Sequence, residues 1–525
     1  MEMKHTLWRK ALFVSSVLLM SSNSFALTNT QLEAVEKSVD QAMERFSIPG
    51  LAVGIVNDGK LVMAKGFGVR SYGKEARVDE HTLFGIASNS KAFTAAALAM
   101  LVEQGKLNWD DPVVKHLPEF ELYSKVLTEQ MTIRDLLSHR GGLGLGAGDL
   151  MIWPDTDKSI EDILKGLKYL KPVSQFRNEY HYNNLMFVVA GEVVSRVSGI
   201  SWHDFVEQHI FPKVGMDGSY AAFSRIPHAN LNFATGTIEY QGQLEEFIGD
   251  YLEDFRGAGS IASNVADMTK WMQTQMSAGT TPSGAVLFSS QSQSNMWHPH
   301  IMRVPKEQAL KDFRQHFKGY GLGWSLESYF GYKKVGHMGG ILGMGSQVAM
   351  IPEKGVGIVL LSNQQAYPAL RAIANEVFEQ ALDLAPRDWV ADSAKTYHES
   401  RNEKYSKLGP VTPKRKKQGL SDEHYTGTLR SAWYGDVIVE KIAGELRIDF
   451  THTGLLKGSL HHHDGHSFVV KWDEKLLEAD AYIHFNLNDK NHVESAEMEW
   501  VNPEITDFSF DFHDLNLKAF PKPTE

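Results

Sequence analysis

The chain contains no cysteine in 525 residues, and that absence removes several chemistries at once. Disulfide staples, a cysteine nucleophile, a thiolate zinc site and a lipid-modified N-terminal cysteine are all excluded. Long apolar runs are also scarce. The stretch from Ala11 to Met20 is too short to span a bilayer as an anchor, and no other stretch is apolar enough to cross one. A positive charge excess is missing as well: the net charge is −11, and removing residues 1–26, with Lys4, Arg9, Lys10 and Glu2, takes it to −13. With no basic patch interleaved with aromatics, this balance argues against a nucleic-acid partner. The run Lys414-Arg415-Lys416-Lys417 sits among Pro, Gly and Ser and reads as solvated linker rather than contact site. No glycine-rich phosphate loop follows a strand, and neither an H-E-x-x-H helix nor a G-x-S-x-G elbow occurs.

What is present is the composition of a soluble globular protein, 42% hydrophobic and 22% charged, long enough for two domains, one of them large. Residues 1–26 read as a secretory signal. Lys4, Arg9 and Lys10 form the basic region, Ala11 to Met20 the apolar region, and Ser24-Phe25-Ala26 a small-x-small cleavage site. The competing reading is an uncleaved N-terminal anchor. Cleavage implies a periplasmic or secreted protein with no membrane span afterwards, whose core must hold the fold without disulfides.

Mature sequence opens with a helix near Thr30 to Phe46, apolar at Leu32, Val35, Val39 and Met43. Leu51–Val56 and Leu61–Phe67 flank Asn57-Asp58-Gly59-Lys60, a strong hairpin signal. A second hairpin, Ser346–Ile351 and Val356–Leu361, precedes a helix from about Pro368 to Leu382. Helix plus hairpin at one end, and hairpin plus helix at the other, predict one antiparallel sheet assembled from both ends of the domain. The middle is helix-rich, with Ala92–Gln104, Ile133–Ser138, Asn184–Val197 and Trp202–Ile210. The expected class is α/β (α+β): an antiparallel sheet flanked by helices, a helical insertion, and a cleft between them. Residues 27–384 form this domain, and 385–420, polar with Pro410 and Pro413, read as a linker. From 421 to 525, short strands at about ten-residue spacing predict a small all-β barrel or sandwich.

The chemistry-bearing stretch is Ser88-Asn89-Ser90-Lys91, followed by the apolar helix Ala92–Leu101. A serine three residues before a lysine stacks hydroxyl and amine on one helical face, where the amine can take the hydroxyl proton. The tetrapeptide alone carries little, since Ser71-Tyr72-Gly73-Lys74 also matches; there Gly73 marks a turn and no apolar helix follows. Tyr182-Asn183-Asn184 precedes another helix. A tyrosine there can exchange protons with an activated serine, and the Asn184 amide can orient a substrate carbonyl and the lysine. In His337-Met338-Gly339-Gly340, the paired glycines let a substrate backbone approach a strand edge. A backbone N–H there, with that of Ser88, can form an oxyanion hole. Taken singly, Tyr182 also reads as a packed aromatic, Asn184 as a helix cap and His337 as a structural histidine.

In order and spacing the three motifs resemble the penicillin-recognising serine hydrolases, the group of class C β-lactamases, low-molecular-weight penicillin-binding peptidases, D-aminopeptidases and related esterases. The likeness extends to Leu107–Val113, Leu117–Phe120, Thr132–Leu143, Phe211–Met216 and Gly257–Ser263, and covers roughly residues 30–384. From Tyr425 onward the chain resembles the lipocalin-like β-domain appended to some members. The resemblance implies an acylated Ser88, general acid and base work shared by Lys91 and Tyr182, and substrate binding by Asn184, His337, Gly339 and Gly340. The N–H groups of Ser88 and Gly340 would hold the oxyanion. Where β-lactamases carry Lys-Thr/Ser-Gly, this chain has His337 and Met338, so the fixed positive charge for a substrate carboxylate is missing at that motif. The expected function is acyl-enzyme hydrolysis of a small-molecule or peptide substrate, a peptide amide with possible D-residues first. An esterase or a β-lactamase using the same groups, and a non-catalytic cell-wall-fragment binder, are the alternatives. No cofactor is expected. The cluster His461-His462-His463-Asp464-Gly465-His466 reads as a hairpin rather than a metal site, because neighbouring strand residues face opposite ways. The sequence assigns no oligomeric state.

Overall fold

The computed structural model describes residues 27–249, 255–407 and 419–520. The signal-like segment and the basic run Lys414–Lys417 lie outside the described residues. Helix α1 (Asn29–Phe46) starts from a capping box in which the Thr28 hydroxyl accepts from the Gln31 backbone and the Gln31 side chain accepts from that of Thr28. Strands β1 (Gly50–Asn57) and β2 (Lys60–Gly68) follow as a hairpin. Asp58 and Gly59 at its turn have φ of 51° and 71°, the left-handed pair that a two-residue hairpin loop requires.

After a mainly helical middle containing α2 (Ser90–Glu103), α3 (Leu185–Ser198) and α4 (Val265–Met276), six more strands complete the sheet. These are β3 (Ile301–Arg303), β4 (Lys318–Tyr320), β5 (Ser325–Tyr329), β6 (Tyr332–Ile341), β7 (Met344–Ile351) and β8 (Val356–Ser362). The order is β2-β1-β8-β7-β6-β5-β4-β3, antiparallel throughout, so the first domain's opening hairpin closes against that domain's last strand as the sequence predicts. β1 is buried on both faces. Leu51, Val53 and Ile55 meet α1 and α5 (Tyr367–Ala381), while Ala52 and Gly54 face α4, where a Cβ on Gly54 would lie 2.4 Å from Thr269. α2 is buried all round from Ser90 to Leu101, as a core helix of a layered domain must be. Among the described residues no single helix is long and apolar enough to cross a membrane.

Within the segment 385–420, expected as a linker, Trp389–Ser406 form a helix, α6, that packs back on the first domain. Val390, Ala394, Tyr397, Arg401 and Tyr405 form a narrow stripe at helical spacing. Only Trp389, Val390 and Ala394 are fully buried, and Tyr397, Arg401 and Tyr405 extend the stripe half-exposed, so charged and polar residues outnumber the buried positions and the segment reads as polar. Trp389 stacks on Phe313 at 5.0 Å, and Tyr397 lies 5.3 Å from Phe46 of α1.

The C-terminal region closes into an eight-stranded barrel. Its strands are β9 (Gly427–Ser431), β10 (Gly435–Ile442), β11 (Glu445–Phe450), β12 (Lys457–Asp464), β13 (Ser467–Trp472), β14 (Ala481–Leu487), β15 (Val493–Trp500) and β16 (Leu517–Phe520). Each strand pairs with its chain neighbour, and β16 returns to β9. The β12–β13 hairpin turns one residue later than expected, at Gly465-His466, between the paired Asp464 and Ser467. The connection from β15 to β16, residues 501–516, leaves the barrel and reaches into the first domain.

Candidate active site

Ser88 sits at the entry to α2, in a single turn of tight helix, Ala87–Asn89. The preceding Ala87 has a φ of 49°, a left-handed conformation that costs a non-glycine residue about 1–2 kcal/mol. One turn on, Lys91 is fully buried, and its ammonium group has three oxygen partners, each at 2.9 Å: Ser88 Oγ, Asn184 Oδ1 and the Ala258 carbonyl. Ala258 can come this close because Gly257 packs backbone against backbone; a Cβ there would fall 2.7 Å from the Phe187 carbonyl. Thr94 of α2 pins the same segment by donating to the Gly257 carbonyl at 2.7 Å. The Gly257–Ser263 stretch noted in the sequence thus supplies a lysine partner rather than a reactive group.

Burial lowers the Lys91 pKa to about 7, opposed by the Asp149 charge. Near neutrality a large share of Lys91 is therefore the free amine. Two amine hydrogens then serve Asn184 and Ala258, and the lone pair is left for the Ser88 hydroxyl. The Tyr182 phenol donates to Ser88 Oγ at 2.8 Å, and burial holds its pKa well above 10. At ordinary pH it is a proton donor.

Asn184 begins α3, with both ends of its amide engaged: Oδ1 accepts from Lys91, and Nδ2 donates to Asp149 Oδ2 at 2.8 Å. It orients the lysine. Asp149 is fully buried, and burial raises its pKa to about 8, with the Asp511 charge adding to the effect. Ser509, from the barrel's 501–516 connection, donates to the same Asp149 oxygen at 2.9 Å, and the Gly148 N–H donates to Asp511 at 2.6 Å. A continuous chain of hydrogen bonds therefore runs from the barrel domain through Asp149, Asn184 and Lys91 to Ser88. Sequence reasoning missed Asp149 and Ser509; the one local signal was Gly146-Ala147-Gly148-Asp149, a turn that carries a carboxylate.

His337 lies on β6 at the cleft wall, with both ring nitrogens in use. Nδ1 is 2.6 Å from the Met338 carbonyl and so carries the proton, and Nε2 accepts from the Tyr320 phenol at 2.8 Å. Burial and the nearby Lys91 charge press its pKa down to about 3, so the imidazole is neutral. The next residues explain the glycines. A Cβ on Gly339 would fall 2.3 Å from the Ile86 carbonyl and 3.1 Å from Ser88 N; one on Gly340 would meet the Tyr367 hydroxyl at 1.6 Å. β5 leaves β6 at the pair Ser325–Gly336, so the edge of residues 337–341 away from β7 is open beside Ser88. That edge borders a cleft of about 650 Å³. Ser88, Tyr182, Asn184, His337, Gly339 and Gly340 all line it, Lys91 lies just beneath, and Phe508 and Ser509 of the barrel domain close one side. The Phe508 ring stands edge-on to Tyr182 at 6.2 Å.

Comparison with known proteins places the fold and the family. An unguisins hydrolase of Aspergillus campestris is 29% identical over 367 residues, which are 67% of this chain and 66% of that protein. A second unguisins hydrolase, from Aspergillus violaceofuscus, is 28% identical over 353 residues (62% of this chain, 60% of that protein). Protein flp of Staphylococcus aureus is 24% identical over 342 residues, 64% of each chain. The chain spans about two thirds or less of the length of these curated relatives. Among solved structures, a penicillin-binding protein homologue from Pyrococcus abyssi superposes with a TM-score of 0.60 at 22% identity, covering 89% of this chain and 98% of that one. A class C β-lactamase superposes at 0.56 and 20%, covering 67% and 96%. Both share the fold. Residues 412–519 match a domain of unknown function, DUF3471. Residues 35–382 match the Beta-lactamase family model, and the chain belongs to that family of serine hydrolases.

Proposed function

We propose that this protein is an exported hydrolase that forms an acyl-enzyme on Ser88, with Lys91 as the base, and that cleaves small peptide amides. The observation that carries the reading is the buried Lys91 amine, 2.9 Å from Ser88 Oγ, with a pKa lowered to about 7. Lys91 takes the hydroxyl proton as Ser88 Oγ bonds to the substrate carbonyl carbon. The carbonyl oxygen becomes an oxyanion facing the N–H groups of Ser88 and Gly340. The C–N bond then breaks as a proton passes to the departing amine, with the Tyr182 phenol positioned to relay it. Water hydrolyses the ester by the same route in reverse.

The barrel's Phe508 and Ser509 narrow the cleft, which favours short substrates over polymers. Export rests on the N-terminal segment alone. The test is intact-protein mass spectrometry of wild type and Ser88→Ala with a fluorophosphonate, a 4-nitrophenyl ester, a D-amino-acid 4-nitroanilide and a penicillin. An adduct on wild type alone is the expected result, with the anilide turned over fastest. Faster turnover of the ester or the penicillin would reassign the substrate class. Folded wild type without any adduct would overturn the hydrolase reading.

A further inference from the structure

The motif that holds a fixed lysine in β-lactamases is neutral here, yet the cleft is not. Arg303 on β3 and Lys318 on β4 both line it, and they are directly opposed cross-strand partners. Like charges facing each other across an antiparallel pair destabilise a sheet, so the arrangement calls for compensation. Compensation within the protein is partial. Lys318 lies 3.6 Å from Glu327, its partner on β5, but that carboxylate is already held by Lys334 at 3.1 Å and by Gln315 at 2.9 Å. Arg303 has no carboxylate within ion-pair distance among the described residues; its guanidinium lies over the Tyr180 ring at 4.1 Å, a flat seat that leaves its N–H donors free. Arg371 adds a third cation to the cleft. Facing these is Asp507, whose carboxyl accepts from the Ser509 backbone at 2.9 Å and is pushed up by burial toward its neutral form. Burial presses the Lys318 ammonium below its ordinary pKa, with the Arg303 and Lys334 charges adding to it against the opposing pull of Glu327. All this lies in a chain whose net charge is −11.

We propose that Arg303 and Lys318 form a subsite for a carboxylate of the substrate, at the end of the open β6 edge, in place of the positive charge missing at His337. This rests on the reading of the cleft as a Ser88 acyl-transfer site and names the chemical class it selects: acyl compounds bearing a negative charge a few bonds from the scissile carbonyl. The guanidinium offers two parallel N–H donors to such a group, and the ammonium of Lys318 offers a third contact. A substrate strand lying along residues 337–341 would deliver its charged end to them.

The test uses two matched ester pairs with the full-length protein. Mono-4-nitrophenyl adipate against the 4-nitrophenyl ester of adipic acid monoamide places the charge on the acyl side. 4-Acetoxybenzoate against 4-acetoxybenzamide places it on the leaving side. In one pair the anionic member is expected to have a kcat/KM about 10-fold or more higher, chiefly through KM, with the preference shrinking as salt is raised. Arg303→Gln, and separately Lys318→Gln, should bring that ratio close to one, and Arg303→Lys should restore most of it. A purely structural role would not track the retained charge. A ratio at or below one in both pairs for wild type, or a ratio untouched by both Gln variants, would overturn the subsite alone. Failure of every ester, with no adduct on Ser88, would overturn the hydrolase reading and the subsite with it.

Discussion

Lys91→Met tests the base assignment through stability, independently of any substrate. Methionine keeps the length and most of the volume of the side chain and removes the titrating amine. Lowering the lysine from its ordinary 10.5 to about 7 means that, between those values, the unfolded chain binds a proton that the folded one has shed. Stability therefore rises with pH in that window, by about 1.4 kcal/mol per unit, and below pH 7 the folded state carries the full cost of a buried charge, about 5 kcal/mol. The absolute change on substitution mixes this gain with the loss of three hydrogen bonds, so its sign is not the useful quantity. The difference between wild type and variant is. Asp149 titrates in both proteins, and because the Lys91 charge is a minor influence on it beside burial, its contribution largely cancels and leaves Lys91. From pH 6 to pH 9 the stability of wild type should rise relative to Lys91→Met by about 2.5 kcal/mol, nearly all of it above pH 7. Urea unfolding followed by tryptophan fluorescence at pH 6, 7, 8 and 9, at constant ionic strength, measures it. The kcat/KM of wild type should rise over the same range with a midpoint near 7. A pH-independent difference would refute the reasoning, because the folded-state lysine would then be charged up to about pH 10 and unable to accept the Ser88 proton.

Three further substitutions probe the remaining parts of the site. Tyr182→Phe removes the 2.8 Å donor to Ser88 and should lower kcat by about 10²–10⁴-fold without moving the acid limb of the pH–rate profile; a displaced limb would transfer the base role to the phenol. Phe508→Ala opens the side of the cleft closed by the barrel, so kcat/KM for bulky acyl esters should rise relative to 4-nitrophenyl acetate; an unchanged ratio would remove the barrel from substrate selection. Gly340→Ala places a Cβ 1.6 Å from the Tyr367 hydroxyl and should cost most of the activity. Adding Tyr367→Leu should recover a large part of it, and strictly additive losses across that double-mutant cycle would show that the clash is not the cause.

Much of the site was legible because its pieces are local. Ser88 and Lys91 share one helical face, so their spacing alone brings hydroxyl and amine together. The glycine pair at 339–340 marked a strand that something must approach closely, and the structure puts the Ser88 loop against one glycine and Tyr367 against the other. The sheet was legible from its two hairpins, whose turn residues demand positive φ. The roles of Asn184 and His337 were harder to read. A sequence shows that an amide or an imidazole is near a site, but not how many of its hydrogen-bonding atoms are already taken. Asn184 faces Lys91 and Asp149, and His337 faces Tyr320 and a carbonyl, so each holds other groups in place. α6 was hidden for a different reason: only Trp389, Val390 and Ala394 of its 18 residues are buried, too few to stand out among its charged and polar neighbours.

The barrel is where sequence reading had least to work on, and where the structure adds most. Its own strands follow from alternation, but the contact that matters is made by residues 501–516, which belong to no strand. Ser509 and Asp149 are 360 residues apart in sequence and share a hydrogen bond. No periodicity encodes such a contact. Both donors on the buried Asp149 go to Oδ2, one of them from the second domain, while Oδ1 has no partner among the described residues, as suits a carboxyl that burial pushes toward its protonated form. Without the barrel, Asp149 would lose that donor and gain water, the Asn184 amide would have a less fixed partner, and water at Asp149 would raise the polarity around the Lys91 amine. Its pKa would then climb back toward the ordinary lysine value, because burial is what lowers it. In the proposed mechanism, the second domain thus reaches the base of the first through the hydrogen bonds Ser509–Asp149–Asn184–Lys91.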